Sequence, residues 1–283
     1  MPDASGISDS ELDHYRSWIG RRTTVYDSIS EEAISRFSAA IDCPMPKDGL
    51  VPPMWHYGLF LNNVPTAQLG PDGHPPRGGS MPPVRLPRRM FAGSDASFVG
   101  SLRMGVPSFC HSEILSVDRR QGRAGELVLV RVGDQIGQDG TICIRETRSI
   151  VYLATGFQVP TPVKEPNRQA SANEETWIPD PVALFRFSAV TFNAHRIHYD
   201  REYAKLEEGY PDIVVQGPFT AVRLADFATR SVSRQLRSFA FRGEAPLFCG
   251  APIVLSVVED ERPLRVVALR CDGKVAMSAT ADF

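Results

Sequence analysis

Apolar positions along this chain recur first at helical spacing and then at strand-like alternation, and that order appears twice. Ser8 to Arg22 and Ser30 to Ala40 each pair a polar start with apolar residues at helical intervals, which predicts two capped helices. Val51 to Leu61, opened by Pro52-Pro53, predicts a third, because proline is tolerated in a first helical turn. Residues 62–89 are rich in proline and glycine and predict an irregular covering loop. Strands are expected at about 96–103, 109–118, 126–133 and 141–153. The last holds the β-branched and aromatic side chains Ile142, Ile144, Val151 and Tyr152.

A Pro-rich, polar stretch at 155–180 reads as a linker, after which the order restarts. Phe185 to Val190 is expected as a strand, Asp200 to Glu207 as a short helix, and Pro218 to Arg230 as a longer apolar-faced helix. Strands follow at about 237–242, 252–259, 264–271 and 274–281, broken at Gly250, Arg262-Pro263 and Asp272-Gly273. Letters repeat as well as order. Arg36-Phe37-Ser38-Ala39-Ala40 resembles Arg186-Phe187-Ser188-Ala189-Val190, and each precedes an apolar segment with a helix-starting proline, Val51-Pro52-Pro53 and Val215-Gln216-Gly217-Pro218. Internal similarity at half the chain length predicts two copies of one fold. The expected class is α+β: a central helix wrapped by a curved antiparallel sheet, twice, with the paired sheets covering each other's open edges. The boundaries are an N-terminal unit over 1–155, a linker over 156–180 and a C-terminal unit over 181–283.

Composition narrows the partners. With 283 residues, 42% apolar and 23% charged, the chain can bury an ordinary core. Net charge is −2 and basic residues cluster no further than Arg88-Arg89 or Arg119-Arg120, so no nucleic-acid partner is expected. Cys43, Cys110, Cys143, Cys249 and Cys271 lack metal-ligand spacing and are expected as free, buried thiols. Met1 to Asp9 is polar and acidic, and no apolar run approaches the ~20 residues of a membrane span. A soluble, cytoplasmic protein that contacts no membrane is the expectation.

Chemistry concentrates at Thr191-Phe192-Asn193-Ala194-His195-Arg196-Ile197-His198-Tyr199-Asp200, which holds two of the six histidines. Imidazole titrates nearest neutrality and suits moving a proton to and from water. The residues alone leave three readings open: packed histidines, metal ligands, or an acid/base pair. A metal would need further ligands that no other cluster offers at useful spacing. Asp200, at a helix start, reads as an N-cap.

Phe185 through Asp200, with Val214-Val215-Gln216-Gly217-Pro218, resembles the MaoC-type hydratases and dehydratases. It is most similar to their mesaconyl-C4-CoA hydratase group, which is related to the type 2 hydroxyacyl-thioester dehydratases. Leu86-Pro87-Arg88-Arg89-Met90-Phe91-Ala92-Gly93 and Arg148-Ser149-Ile150-Val151-Tyr152 match the same group. The resemblance implies a tandem (double) hotdog and a hydro-lyase acting on the α,β-double bond of an acyl-CoA. Mesaconyl-C4-CoA to citramalyl-CoA is one candidate reaction. The alternatives are a (3R)-hydroxyacyl-thioester dehydratase with a CoA or acyl-carrier-protein substrate, and a non-catalytic acyl-CoA-binding hotdog subunit. A homodimer is expected, with no metal or redox cofactor.

The resemblance also assigns roles. The general hydratase motif holds its water with an Asp and a His. This chain carries Asn193 and His198 at those positions and His195 where the motif has Asn, so the acid/base burden falls on His198 and Asn193 positions the water. Gly217 is expected to offer its N–H to the thioester oxygen at a helix start. Arg88, Arg89 and Arg196 are candidates for a substrate carboxylate or the CoA phosphates. His195 and Gln216, the latter where a His is common, are expected beside the substrate. Gly93-Ser94-Asp95-Ala96-Ser97-Phe98 departs from the group's usual run, which bears on the acyl group. Ile41-Asp42-Cys43-Pro44 offers no acid/base pair, so the N-terminal unit is expected to be non-catalytic and to roof the substrate tunnel.

Overall fold

The computed structural model describes residues 6–122, 125–154, 173–259 and 262–283. Its first helix, Asp9–Arg16 (α1), starts at Ser8, whose hydroxyl accepts the Glu11 N–H while the Glu11 carboxylate accepts the Ser8 N–H. It stops short of the expected Arg22. Gly20 takes a left-handed φ of 82° and donates its N–H to Ile114 O at 2.9 Å, turning the chain into strand Arg22–Asp27 (β1). Glu31–Ala40 (α2) begins at Ser30 as the cap predicts.

The helix expected over Val51 to Leu61 is absent; Trp55–Gly58 makes one 3-10 turn instead. Met54 and Phe60 sit at left-handed φ of 70° and 54°, which an α-helix cannot contain. Side-chain bonds hold this turn to the sheet: His56 Nε2 lies 2.9 Å from Glu146 Oε2, and the Tyr57 hydroxyl donates to Glu146 Oε1 at 2.6 Å. Gly58 is needed because a Cβ there would strike the Phe37 ring.

Four long strands follow: Arg88–Phe98 (β2), Ser108–Gly122 (β3), Gly125–Gln138 (β4) and Thr141–Leu153 (β5). Part of the expected linker, 155–172, lies outside the described residues. Glu174–Trp177 within it forms a strand, β6. Phe185 to Val190, expected as a strand, belongs instead to helix Pro181–Val190 (α3). A short run of Phe and Val fits either element; Asp180, accepting the Ala183 N–H at 2.7 Å ahead of Pro181, decides for helix. Then come Arg201–Leu206 (α4), Gly217–Val232 (α5), Ser238–Gly243 (β7), Ile253–Glu259 (β8), Leu264–Arg270 (β9) and Val275–Asp282 (β10).

The ten strands among the described residues form one antiparallel sheet ordered β1-β3-β4-β5-β2-β7-β10-β9-β8-β6. The order reads symmetrically from its centre, so each strand of one half has a counterpart in the other, as the repeat predicts. The repeat extends to backbone detail: Asp42 and Phe192, each just past the matched helices α2 and α3, have φ of 52° and 49°. The halves join at β2 and β7, with Gly93 opposite Arg242 and Ser97 opposite Ser238. A Cβ on Gly93 would collide with the Phe241 carbonyl. Pairing β2 with β7 gives each half's innermost strand a hydrogen-bonded neighbour.

Helix α5 is the axis of this tandem hotdog. Phe219, Val222, Leu224 and Phe227 are buried on it together with Ala221, Ala225 and Ala228. The Phe187 and Phe219 rings stack at 4.4 Å, and Phe37 meets Phe187 at 6.0 Å, bringing the two short helices onto the same core. A second cluster packs α1 against β3, β4 and β5 through Leu12, Tyr15, Val117, Val128, Val130 and Tyr152. Cys43 is half-buried, the other four cysteines are buried, and none of the five is in a disulfide.

Candidate active site

The chain leaving α3 builds the site by short-range bonds. Asn193 N–H donates to Ser188 O at 2.8 Å, and Asn193 Oδ1 accepts the His195 N–H at 3.1 Å. A 3-10 turn, Arg196–His198, follows. Asp200 then caps α4 by accepting the Tyr203 N–H at 3.0 Å, as expected, and also binds Arg196 at 2.7 Å. Ile197, Tyr210, Val214 and Phe248 bury this excursion in a small apolar cluster of their own.

His198 is buried, and its Nδ1 lies 2.8 Å from Val214 O. A carbonyl only accepts, so Nδ1 carries the proton and Nε2 presents a lone pair. Burial pushes the His198 pKa down to about 4, outweighing the Val214 hydrogen bond, so the ring is neutral at pH 7. Val214 is itself fixed, accepting no slack: its N–H donates to Ile197 O at 2.9 Å. The same segment runs on through Gln216 into α5, so one stretch of backbone orients the base and delivers Gly217. No side chain caps α5, which leaves the first-turn amides and the positive end of the helix dipole open. Gly217 faces the seam between the halves, where a Cβ would stand 3.7 Å from Phe91 O.

The remaining expected residues separate by partner. Gln216 is fully buried and its Nε2 donates to Leu184 O and Ser188 Oγ, both at 2.9 Å. That amide ties α5 to α3 and presents no surface to a substrate, a correction to its expected place. Arg196, besides Asp200, donates to Pro71 O at 3.1 Å and lies over the Tyr203 ring, and so fastens a loop. Arg88 donates to the Glu208 backbone carbonyl and lies 3.4 Å from its carboxylate, with Nη1 buried and without a partner. Arg89 has no carboxylate within ion-pair distance among the described residues, and its charge bears on His74 and His195. His195 is buried with its ring 5.4 Å from that of His198, and burial followed by the fields of His74 and His198 holds its pKa far below the usual range.

Sequence reasoning missed Asp72 and His74. They arrive from the 62–89 loop, and the His74 ring lies 4.0 Å from that of His195. Only folding brings residues so distant in the chain together; the one local signal was a histidine inside Asp72-Gly73-His74, a turn flanked by prolines. Among the described residues no group of three or more His, Cys, Asp or Glu is arranged to hold a metal.

A buried, neutral imidazole and the uncapped start of a long helix, held by one stretch of backbone inside a tandem hotdog, are parts that suit a hydro-lyase of the hydratase and dehydratase class. The chain belongs to the hydroxyacyl-thioester dehydratase type 2 family, whose model matches residues 54–249. It is 44% identical to the mesaconyl-C(4)-CoA hydratase of Chloroflexus aurantiacus over 95% of this chain and 98% of that one. The mitochondrial hydroxyacyl-thioester dehydratase type 2 of Schizosaccharomyces pombe is 24% identical, over 84% of this chain and 90% of its own. Among solved structures, HtdX of Mycobacterium tuberculosis superposes with a TM-score of 0.69 at 17% identity, covering 92% of this chain and 99% of that one. A second protein of that organism, described as a double hotdog, gives a TM-score of 0.55 at 12% identity over 93% of this chain and 95% of its own.

Proposed function

We propose that this hydro-lyase adds water to the double bond of mesaconyl-C4-CoA to give citramalyl-CoA, with His198 as its acid/base residue. The observation that carries the reading is His198 itself, neutral, with Nδ1 committed to Val214 O and Nε2 left to take a proton. Water attacks the β-carbon as Nε2 accepts its proton. The π-electron pair moves through the α-carbon to the thioester oxygen, where the Gly217 N–H stabilises the charge. The Nε2 proton then passes to the α-carbon as the electron pair returns. Asn193 spends its Oδ1 on His195, so its amide N–H groups are what remain to hold the water.

The 44% identity to a mesaconyl-C(4)-CoA hydratase supports the diacid substrate. So does Arg89. In this substrate the free carboxylate is attached to the carbon that water attacks, so its partner belongs beside the base. Of the three candidate arginines, Arg89 alone lacks a carboxylate partner among the described residues, and its field reaches His195. The reaction so drawn needs no metal or redox cofactor. The N-terminal unit roofs the tunnel and performs no chemistry of its own, and the enzyme works in the cytoplasm. Val182 and Phe185 are exposed on α3, and Ile178 and Phe192 are exposed just beyond its two ends, an apolar patch suited to a second copy in a homodimer.

The test is loss of the enoyl-thioester absorbance with mesaconyl-C4-CoA and with crotonyl-CoA. The diacid should be preferred, and Arg89→Met should abolish that preference. Faster turnover of crotonyl-CoA, unchanged in Arg89→Met, would support a (3R)-hydroxyacyl-thioester dehydratase instead.

A further inference from the structure

The site lacks the carboxylate of the general hydratase motif, because Asn193 stands in its place and is bonded to backbone. A carboxylate nevertheless reaches it from the other half of the chain. Asp72 Oδ2 lies 3.1 Å from His74 Nδ1, and Asp72 Oδ1 accepts the His74 N–H at 2.9 Å. With Nδ1 donating to Asp72, the His74 ring is fixed against His195, which in turn stands beside His198. Burial opposes ionisation of Asp72, but its bonds from His74 prevail and hold the carboxyl well below its usual range, so it is charged. Accessibility grades along the series: the side chains of Asp72 and His74 are 25% and 21% exposed, while His195 and His198 are buried.

The loop is anchored for this placement. Arg196 N–H donates to Asp72 O at 2.9 Å, and the Arg196 guanidinium holds Pro71 O. Gly73, at φ 84°, presses so closely on the Ala194 carbonyl that no Cβ fits. Gly70 N–H donates to His74 O at 2.8 Å, closing the turn. Arg77 ties the loop's return by donating to the carbonyls of Val84, Leu86 and Pro87. The loop thus grips the chain on either side of His195, at the Ala194 carbonyl and the Arg196 N–H.

We infer that Asp72 and His74 are positioning residues of this active site, which orient His195 against His198. When Nε2 of His198 takes the proton of water, a positive charge forms in a buried place that disfavours it. Held at a fixed tilt through the bond from His74 to Asp72, the neutral His195 ring keeps its place 5.4 Å from the His198 ring while that charge forms. The pair thus acts on turnover more than on substrate binding. The inference rests on the hydratase reading above.

The experiment measures kcat and KM for mesaconyl-C4-CoA in Asp72→Asn, Asp72→Glu, His74→Phe, His195→Ala and the His74→Phe/His195→Ala double variant, with thermal unfolding of each. Asp72→Asn and His74→Phe should lower kcat about three- to tenfold, no more than His195→Ala itself, with KM within about threefold, and Asp72→Glu should recover most of the loss. The double variant should be no slower than His195→Ala alone, because the pair acts through that ring. Unchanged kcat, a loss confined to KM, or additive losses in the double variant would overturn the inference. If a variant unfolds, Asp72→Glu and Asp72→Asn still decide, since Arg196 binds the Asp72 backbone carbonyl and both keep it. A parent protein inactive on every enoyl-CoA would refute the hydratase reading instead, so the two failures are distinguishable.

Discussion

Replacing Gly217 with alanine separates catalysis from stability at one atom. The added Cβ would stand 3.7 Å from Phe91 O, an ordinary contact, and Gly217 does not have a left-handed φ, so the one neighbour that crowds it is the ring of Pro218, which follows it in the helix. Alanine is favoured over glycine in helix interiors by up to about 1 kcal/mol, and by roughly half that in a first turn. The crowding by Pro218 offsets that gain, so the variant should unfold within about 2 °C of the parent. Activity should fall. The methyl enters the seam where the thioester must approach the Gly217 N–H, and a retreat of about 1 Å from productive geometry costs on the order of a hundredfold. Turnover with an enoyl-CoA should fall between ten- and a hundredfold, read from the thioester absorbance beside a thermal melt. A stable Gly217→Ala protein with parental kcat would show that the thioester does not sit at this helix end.

Other consequences follow from the same bonds. Gln216→Ala removes both ties from α5 to α3 at a fully buried position and should destabilise the fold by about 2–4 kcal/mol in urea titration; a change below about 1 kcal/mol would mean that the ties contribute little. Because burial lowers the His198 pKa to about 4, the acid limb of kcat/KM should lie near that value, well below the ordinary histidine range; a limb near 6.5 would contradict a buried base. Linkage gives a matching stability effect. The folded pKa is depressed, so the stability is fully present above the unfolded value and is lost as pH falls from about 6.5 toward 4, by roughly 2 kcal/mol at pH 5, and a His198→Asn protein should show less of that acid loss.

Strands and their repeat were legible because alternation and hairpin breaks are local signals; all four strands of each expected run form, shifted at their ends. Two elements were misread for opposite reasons. At Phe185 to Val190 the apolar run suited either element, and the deciding Asp180-Pro181 cap lay just outside the segment. At Val51 to Leu61 the proline start was present, but tertiary bonds from His56 and Tyr57 to Glu146 bent the chain into a single turn. The β1 strand was hidden because the helix before it ends at a glycine-mediated turn set by β3. Within the site, His198 and Gly217 were nominated by motif register alone, whereas the partners that Gln216 and Arg196 take up, Leu184, Ser188 and Pro71, lie too far along the chain to be read from it. Asp72 and His74 were beyond reach, since nothing in a proline-rich loop states which distant backbone it will meet.

The central claim is that His198, and not its neighbour three residues earlier, moves the proton. It is tested most directly by single-turnover hydration of mesaconyl-C4-CoA by His198→Ala and His195→Ala, each verified as folded by thermal melt. The account predicts that His198→Ala loses at least about a hundredfold in rate. His195→Ala should lose about tenfold. Normal turnover in His198→Ala together with a dead His195→Ala enzyme would contradict it.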